Sequence, residues 1–290
     1  VGTRKEIKNY KVPLNEKNFV KMDWDCEFSL KSSVKGIDTI IHTAGISAKL
    51  SIEKPSEALK VNGLYTSKLI DIAIENHVKR FIYISTVHVY KEPLTGDIDE
   101  SSTTNNLHPY ATSKIAGEKA VLYAKQLGLI QGIVLRLSNG SGHPVFPDTE
   151  CWHLLLNDLC KQAVQKKELI LKSESSLEIN LIPMTNVCLG IEHFLQLPED
   201  HLDDSPFNIC SNKNLTLYQV AHQVSERSKV VLGYDVEISF KNKVEEKNNT
   251  RRLYLNNTKS EKTGLNFQEN LVQEIDDTLF FCKSHFSTNS

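Results

Sequence analysis

The sequence predicts an α/β protein built on a doubly wound parallel sheet. Short apolar segments rich in β-branched residues end in small residues, which is typical of buried parallel strands followed by tight turns. These segments alternate with helical stretches of more than ten residues, which is the pattern of βαβ units. In chain order the alternating segments are Gly36–Gly45, Pro55–Asn76, Arg80–Tyr90, Pro109–Gln126 and Gly132–Leu137.

The residues before this core are less regular. Val1–Lys5 is predicted to be the end of a strand that runs into a turn, Phe19–Trp24 a short strand, and Glu27–Lys35 a helix. Right-handed crossovers place the C-terminal ends of all parallel strands at one edge of such a sheet, where ligands bind. The functional residues are therefore expected just after the strands.

Beyond about residue 140 the alternation loosens, and a smaller second domain is predicted. We expect a first domain over residues 1–140 and a second, mixed α/β domain over residues 141–290. Thr216 is a suitable N-cap for one helix of the second domain. The predicted elements there are helices at Trp152–Gln165, Val187–Leu197, Leu217–Ser228 and Phe267–His285, and strands at Glu168–Leu171, Leu177–Ile182 and Phe207–Cys210.

Composition excludes several classes of partner. The 34 basic and 36 acidic side chains nearly cancel, which argues against nucleic-acid and membrane-surface partners. No apolar run approaches the ~20 residues of a membrane span, so no membrane partner is expected. The six cysteines are scattered without a Cys-x-x-Cys pair, so we expect no metal site, no disulfide frame and a cytoplasmic location.

The most informative pair of residues is Tyr110 and Lys114, which follow Pro109. Proline suits the first turn of a helix, and residues four apart on a helix share one face. A fixed positive charge beside a phenol lowers the pKa of the tyrosine, which suits it to acid/base chemistry. Because Tyr-x-x-x-Lys is common by chance, the neighbouring motifs have to support this interpretation.

Seven segments in a fixed order do support it: Asp23-Trp24, His42-Thr43-Ala44-Gly45, Asn62 with Thr66, Tyr83-Ile84-Ser85-Thr86, Tyr110–Lys114, Leu135–Asn139 and Pro206–Leu217. Their order and spacing resemble the extended short-chain dehydrogenase/reductase family, which includes nucleotide-sugar epimerases, dehydratases and reductases. The resemblance implies a Rossmann-like sheet with a smaller C-terminal substrate domain, an NADP or NAD cofactor, and a nucleotide-sugar substrate. It also implies a homodimer that associates through the Tyr110 helix and the Pro55–Asn76 helix.

The resemblance implies roles for individual residues. Tyr110 is similar to the family's acid/base, Lys114 to the residue that holds the nicotinamide ribose, and Thr86 to the hydroxyl that bonds the substrate oxygen. Asn139 is expected to touch the nucleotide or sugar, and His143 lies in a loop expected to approach the substrate. The implied cofactor-binding residues are Asp23, Trp24, Thr43, Ala44, Gly45, Asn62, Ser85, Tyr110 and Lys114.

The sequence departs from the family pattern at its beginning. The glycine-rich turn that cradles the pyrophosphate is missing, and about 25 to 30 residues of a βα unit are expected to be absent. We expect truncation rather than a degenerate homologue, because Thr86, Tyr110 and Lys114 are all present. Arg4 follows the second strand where an acidic residue would receive a ribose hydroxyl. It favours NADP over NAD, although a solvated charge pair on a turn explains it as well.

A second departure lies near the expected diphosphate site. Ile179 stands where the family usually carries an arginine that contacts the nucleotide diphosphate. Arg251 and Arg252 could supply this charge instead, since paired arginine N–H groups suit phosphate. The alternative is that both arginines are merely exposed.

The residues after Thr86 separate the possible chemistries. Family 4,6-dehydratases carry Asp-Glu there, whereas this chain has Val87-His88, so dehydratase chemistry is not expected. If residues 80–90 form one strand, His88 lies on the same face as Thr86 and could act as a second acid/base. The alternative is a histidine that only hydrogen-bonds at the mouth of the strand.

Two classes of function therefore remain. The first is an NAD(P)-dependent epimerase or 4-keto reductase of a nucleotide-activated sugar, acting in surface polysaccharide or sugar-nucleotide biosynthesis. The second is a non-catalytic dinucleotide-binding regulatory or scaffold protein on the same fold. The presence of both Tyr110 and Lys114 favours the enzyme.

Overall fold

A computed structural model describes residues 1–3, 19–240, 252–268 and 270–287. Arg4 and Arg251 lie outside the described residues. The first of two compact units consists of residues 1–91, 103–136 and 194–207, and the second of residues 92–102, 137–193 and 208–290. Residues 92–102 belong to the second unit and residues 194–207 to the first, so each segment lies on the other side of the predicted domain boundary at residue 140. Over the described ranges, no helix combines the length and apolar character needed to cross a membrane.

The structure assigns the following bounds. The strands are β1 Gly2–Thr3, β2 Val20–Lys21, β3 Thr39–His42, β4 Arg80–Thr86, β5 Gly96–Ile98, β6 Gln131–Leu137, β7 Asn139–Ser141, β8 Glu168–Leu171, β9 Glu178–Pro183, β10 Phe207–Ile209, β11 Asn214–Thr216, β12 Glu237–Phe240 and β13 Leu253–Leu255. The helices are α1 Glu27–Val34, α2 Ala48–Glu53, α3 Pro55–Ala58, α4 Tyr65–Glu75, α5 Pro109–Gln126, α6 Leu155–Lys166, α7 Met184–Gln196, α8 Leu217–Val231, α9 Thr258–Lys262 and α10 Leu271–Phe286.

The first unit is built around strands that lie side by side in the order β6-β4-β3. Strands β3 and β4 pair in parallel, with His42 opposite Tyr83. Side chains of α1, α4 and α5 pack on this sheet in one buried cluster. Helices that join neighbouring parallel strands confirm the predicted α/β class.

Two predicted elements differ in the structure. The predicted helix Pro55–Asn76 is divided, because a π-helical segment at Leu59–Leu64 separates α3 from α4. The predicted strand Arg80–Tyr90 ends at Thr86, and Val87–Val89 form a 3-10 turn. The predicted helix start at Pro109 is confirmed.

Helix α5 lies unusually close to its neighbours at Gly117. A Cβ atom there would come within 2.5 Å of both the Asn62 carbonyl oxygen and the Tyr83 hydroxyl. Asn62 belongs to the π-helical segment and Tyr83 to β4. Glycine is therefore required where α5 meets both elements.

The second unit contains a sheet with the order β11-β9-β7 and two further strand pairs. Strand β9 runs parallel to β7 and antiparallel to β11. Helices α6, α8 and α10 pack with β8 and β9 in a second buried cluster. Helix α8 begins at the predicted N-cap, where Thr216 Oγ1 accepts from Gln219 N at 3.1 Å and Gln219 Oε1 accepts from Thr216 N at 2.8 Å.

Replacing Gly117 by alanine tests the close approach of α5. Alanine normally favours a helix interior by about 0.5 to 1 kcal/mol over glycine. At this position overpacking outweighs that gain, so we expect Gly117→Ala to lower the free energy of unfolding by about 1 to 3 kcal/mol. The measurement is the denaturation midpoint in urea.

The matched control is Gly190→Ala in α7. A Cβ atom at Gly190 would lie 3.4 Å from the nearest side-chain atom, a methyl carbon of Ile209, which is an ordinary contact. We expect this variant to be neutral or stabilised by up to about 1 kcal/mol. Equal behaviour of the two alanine variants would contradict the close approach at Gly117.

Candidate active site

The start of α5 and the end of β4 bring Tyr110 and Thr86 together. The imidazole of His108 caps α5, its Nδ1 accepting from the Tyr110 backbone N–H at 3.1 Å. Thr86 is the last residue of β4, and its hydroxyl acts on the Tyr110 phenol, whose pKa it lowers. The same hydroxyl accepts from the His88 N–H at 3.2 Å, which leaves its own proton available for the phenol.

The pKa of Tyr110 departs from the sequence prediction. Lys114 was expected to lower it, but burial raises it, and only the Thr86 hydroxyl acts in the lowering direction. That expectation is wrong for this structure. The phenol of Tyr110 is therefore held in its protonated form at neutral pH.

Lys114 lies one turn further along α5 and is 5% exposed. Its Nζ donates to the Ile84 carbonyl oxygen at 2.6 Å and lies 4.2 Å from the centre of the Tyr83 ring. Burial lowers the pKa of Lys114 to about 8, and the Glu118 carboxylate opposes that shift. The ammonium is thus fixed by β4, on the buried side of α5.

Glu118 forms a buried ion pair behind Lys114. Its side chain is fully buried and accepts three hydrogen bonds from Arg136 in β6, from Nε to Oε1 at 3.0 Å and to Oε2 at 3.2 Å, and from Nη2 to Oε2 at 2.7 Å. The Ser85 hydroxyl donates to the same carboxylate. Ser85, predicted to contact the cofactor, is therefore directed at Glu118 in this structure.

Asn62 connects the loop after β3 to α5. Its Oδ1 accepts from the Ile46 N–H at 3.1 Å, and its Nδ2 donates to Ser113 Oγ at 2.9 Å. The loop residues Thr43, Ala44 and Gly45 are exposed. Asn62 is fully buried, and its two hydrogen bonds hold this loop against α5.

His42 occupies a buried position at the end of β3. Its ring stacks on Tyr83 at 5.8 Å, lies 5.7 Å from the Trp24 ring, and its Nε2 is 3.1 Å from Thr66 Oγ1. Burial lowers the pKa of His42 to about 3, and the charge on Lys114 acts in the same direction. This histidine is neutral at physiological pH.

Two of the predicted cofactor-binding residues, Asp23 and Trp24, lie just before α1. Trp24 is half-buried and stacks on Tyr65 at 5.4 Å. Asp23 is exposed, and its Oδ1 accepts from the Asp25 N–H at 3.0 Å. The Asp25 carboxylate in turn accepts from the Tyr65 hydroxyl at 2.8 Å.

His88 does not lie on the strand face on which its role was predicted. It belongs to the 3-10 turn after β4, where the two-residue alternation of a strand no longer applies. Its carbonyl oxygen accepts from Asn106 Nδ2 at 2.8 Å, and Asn106 Oδ1 also accepts from the His108 N–H at 2.9 Å. The strand argument for His88 is therefore wrong, and its acid/base role stays a prediction without that support.

Of the predicted substrate-contacting residues, Thr86 lies in the first unit, and Asn139, His143 and Arg252 lie in the second. Asn139 Nδ2 donates to the Asn180 carbonyl oxygen at 3.0 Å. His143 is exposed and stacks on Phe281 at 5.0 Å. Arg252 is exposed, and its Nη1 donates to the Tyr254 hydroxyl at 3.4 Å. Arg251, predicted to contact the substrate, and Arg4, predicted to contact the cofactor, lie outside the described residues.

Sequence reasoning missed the Glu118–Arg136 pair. Two signals were present: Glu118 continues the face of Tyr110 and Lys114 at the next four-residue step, and Arg136 interrupts an apolar strand. A charge in a buried strand generally has a partner. Together these signals identify both members, although only the fold shows that they meet.

Comparison with known proteins gives a family and several relatives. The model of the NAD dependent epimerase/dehydratase family matches residues 2–210. A Bacillus subtilis protein named as an uncharacterized UDP-glucose epimerase, YtcB, is 26% identical over 244 residues, which are 82% of this chain and 73% of that protein. Mouse dTDP-D-glucose 4,6-dehydratase is 32% identical over 147 residues, which are 49% of this chain and only 41% of the enzyme.

Solved structures share the fold. RMD from Pseudomonas aeruginosa, complexed with NADPH, superposes with a TM-score of 0.75 at 21% identity and covers 95% of this chain and 88% of that one. The UDP-N-acetylglucosamine 4-epimerase of Methanobrevibacter ruminantium, in complex with UDP-N-acetylmuramic acid, gives a TM-score of 0.77 at 17% identity, with 96% and 87% covered. These neighbours confirm the Rossmann-like class.

Removing the Glu118 charge tests the buried pair. Glu118→Gln leaves the buried Arg136 guanidinium without its counter-charge, so we expect the free energy of unfolding to fall by about 3 to 5 kcal/mol. The control is Lys79→Met, which removes an exposed pair with Asp38 (3.2 Å, with side chains 75% and 78% exposed) and should cost less than about 1 kcal/mol. A small effect of Glu118→Gln in urea denaturation would contradict a structural role for the pair.

Burial of His42 predicts acid sensitivity. Between the folded pKa of about 3 and an unfolded pKa of about 6.5, the unfolded chain binds more protons. The stability contributed by neutral His42 is therefore complete above pH 6.5 and falls as the pH decreases, by up to about 1.4 kcal/mol per unit. His42→Gln should flatten this dependence between about pH 6 and 4, relative to wild type.

The measurement is the urea midpoint at several pH values, with His201→Gln at an exposed position as the matched control. If His42→Gln and His201→Gln give the same pH dependence as wild type, acid unfolding is governed by other groups.

Proposed function

Because the chain belongs to the NAD-dependent epimerase/dehydratase family, we propose that it is an NAD(P)-dependent epimerase or 4-keto reductase of a nucleotide-activated sugar. The observation that carries this proposal is that the Thr86 hydroxyl acts on the Tyr110 phenol and lowers its pKa, with Lys114 fixed one turn along the same helix. Two relatives are named as a UDP-glucose epimerase and a dTDP-D-glucose 4,6-dehydratase, and these names favour the same class of substrate.

The described residues fit a dinucleotide at the C-terminal edge of the first sheet. Thr43, Ala44 and Gly45 are exposed directly after β3, and parallel sheets bind nucleotides at such ends. A Cβ atom at Gly45 would lie 3.1 Å from Asn62 Oδ1, so the loop backbone runs tightly over that side chain. We assign Thr43–Gly45 and Lys114 to the dinucleotide, together with Asp23 and Trp24.

A bound dinucleotide would supply the hydride chemistry at the sugar carbon. The chain's own part is proton transfer at the oxygen on that carbon. The phenol of Tyr110 is protonated at neutral pH, which is the form needed to donate a proton to a keto oxygen. Thr86 would hold the same oxygen through its hydroxyl.

Epimerase and reductase share this proton transfer and differ in the fate of the cofactor. An epimerase returns the hydride to the same sugar, so the reduced cofactor is not consumed. A reductase consumes one reduced cofactor in each cycle. The two activities are therefore distinguished by stoichiometry, and NADP and NAD by parallel titrations.

We assign substrate contacts to the second unit. Asn139, His143 and the arginines Arg251 and Arg252 are proposed to contact the nucleotide-sugar, with the arginines at the diphosphate. Ile179 stands where the family usually carries an arginine, and it packs against the apolar cluster of the second unit and offers no charge. The positive charge at the diphosphate therefore has to come from other residues, which supports the choice of Arg251 and Arg252.

The assembly and location are further parts of the proposal. We propose a cytoplasmic homodimer that acts in surface polysaccharide or sugar-nucleotide biosynthesis. The predicted dimer surface consists of the Tyr110 helix and residues 55–76. Leu59 and Leu64 support association there, because each is about half exposed beside the start of α4.

Tyr110→Phe tests the proposed acid/base. Loss of the phenolic proton should lower kcat by about 100- to 10,000-fold, while dinucleotide affinity changes little. The assay screens UDP-, GDP- and dTDP-sugars for turnover and follows NADH and NADPH consumption. Tyr123→Phe, at an exposed position of the same helix, is the matched control and should retain wild-type kcat.

Binding of dinucleotide without turnover of any sugar would favour a non-catalytic dinucleotide-binding protein instead. Retention of kcat in Tyr110→Phe would remove Tyr110 from the chemistry.

A further inference from the structure

The segment before α5 is held by one side chain, that of Asn106. Residues 103–107 form no helix or strand, and Leu107 is 90% exposed, but Asn106 is partly buried. Its Nδ2 donates to the His88 carbonyl oxygen at 2.8 Å, and its Oδ1 accepts from the His108 N–H at 2.9 Å. Asn106 therefore joins the 3-10 turn after β4 to the N-cap of α5.

These two bonds belong to a ring that includes both proposed reacting groups. Thr86 Oγ1 accepts from the His88 N–H at 3.2 Å, and His108 Nδ1 accepts from the Tyr110 N–H at 3.1 Å. The ring closes where the Thr86 hydroxyl acts on the Tyr110 phenol. Thr86 and Tyr110 are thus connected twice, directly at their side chains and around the ring through Asn106.

The bond from Asn106 to His88 distinguishes this ring from an ordinary turn. An asparagine oxygen that accepts from the N–H two residues later is a common local turn. The Nδ2 bond instead spans 18 residues of sequence. Local turn formation does not require it, and it ties the start of α5 to the end of β4.

The ring acts on the phenol through the backbone of α5. Tyr110 is the second residue of this helix, and the first N–H groups of a helix have no partner within it. The cap at His108 therefore determines where the first turn is held. Proton transfer needs heavy atoms about 2.6 to 3.2 Å apart, and a misplacement of about 1 Å can lower a rate by about 100-fold.

We infer that Asn106 is a positioning residue that sets the Tyr110 phenol against the Thr86 hydroxyl. It acts through the backbone groups of its two partners, His88 and His108. The consequence for turnover rests on the proposed function of Tyr110, whereas the position of the phenol can be measured without it.

The first measurement does not depend on turnover. The full chain is labelled with ¹³C at the ζ carbon of tyrosine, and Tyr110→Phe assigns the Tyr110 resonance. Thr86→Val defines the shift that this resonance shows without the hydroxyl. Asn106→Leu removes both bonds of the amide and should move the resonance in the same direction. Asn105→Leu, the same change at the exposed neighbouring residue, should leave it at the wild-type position.

Asn106→Asp separates the ring from the local turn. Aspartate keeps the oxygen that accepts from the His108 N–H but replaces the donor to the His88 carbonyl by a second acceptor. We expect it to behave as Asn106→Leu does, with Asn105→Asp as the control for the added charge. A Tyr110 resonance at its wild-type position in folded Asn106→Asp would mean a local turn only and would overturn the inference.

The second measurement is steady-state turnover of the sugar that the screen of UDP-, GDP- and dTDP-sugars yields. In both Asn106 variants kcat should fall about 10- to 100-fold, while KM and the affinity for NADH or NADPH change less than about threefold. His108→Asn keeps a favoured N-cap acceptor and should restore most of the kcat that His108→Leu loses. A raised KM with unchanged kcat would make Asn106 a merely structural residue and contradict the inference.

Circular dichroism checks folding, and His108→Leu, which opens the ring at another bond, replaces any Asn106 variant that fails to fold. If wild type turns over no sugar, the proposed function fails, and the Tyr110 resonance still decides whether Asn106 positions the phenol. If the resonance moves as it does in Thr86→Val while kcat and KM are both unchanged, the phenol is positioned as inferred and the proposed role of Tyr110 fails instead.

Discussion

The buried ion pair between Glu118 and Arg136 is the interaction on which the candidate site depends. It joins the middle of α5 to β6, and the Ser85 hydroxyl adds β4 to the same carboxylate. A helix held to two adjacent strands cannot rotate about its own axis without exposing an unpaired charge to an apolar interior. The rotation of α5, and with it the direction of Tyr110 and Lys114, is fixed by a group that need not touch a ligand.

The close approach at Gly117 and the hydrogen bonds of Asn62 also fix the position of α5. Gly117 lets the backbone of α5 approach the Asn62 carbonyl and the Tyr83 ring, so the helix lies flat against β4. The Asn62 amide then extends the contact outward, bonding Ser113 on α5 and the Ile46 N–H in the loop after β3. Close packing and a buried amide thus transmit the position of the helix to the loop that we assign to the dinucleotide.

The strand–helix alternation of the first unit, the start of α5 at Pro109 and the N-cap at Thr216 could all be predicted from the sequence, because each depends on local periodicity or capping. The end of β4 could not, because the apolar run continues to Tyr90, while the backbone turns at Thr86 through a hydrogen bond of its own hydroxyl. Spacing predicted that Tyr110 and Lys114 share a face. It could not predict their pKa values, because burial depends on what the whole fold places around them.

That burial determines how the pair can work. It raises the pKa of Tyr110 and lowers that of Lys114 to about 8, so each group is moved toward its neutral form. A buried acid whose ionised form is disfavoured donates to a developing oxyanion only if a nearby donor or positive charge stabilises the phenolate that remains. Thr86 supplies the donor, and the Lys114 ammonium is held on the adjacent strand at the Ile84 carbonyl. The proton of Tyr110 is therefore retained until charge develops beside it, which is compatible with the proton transfer to a keto oxygen that we propose for this residue.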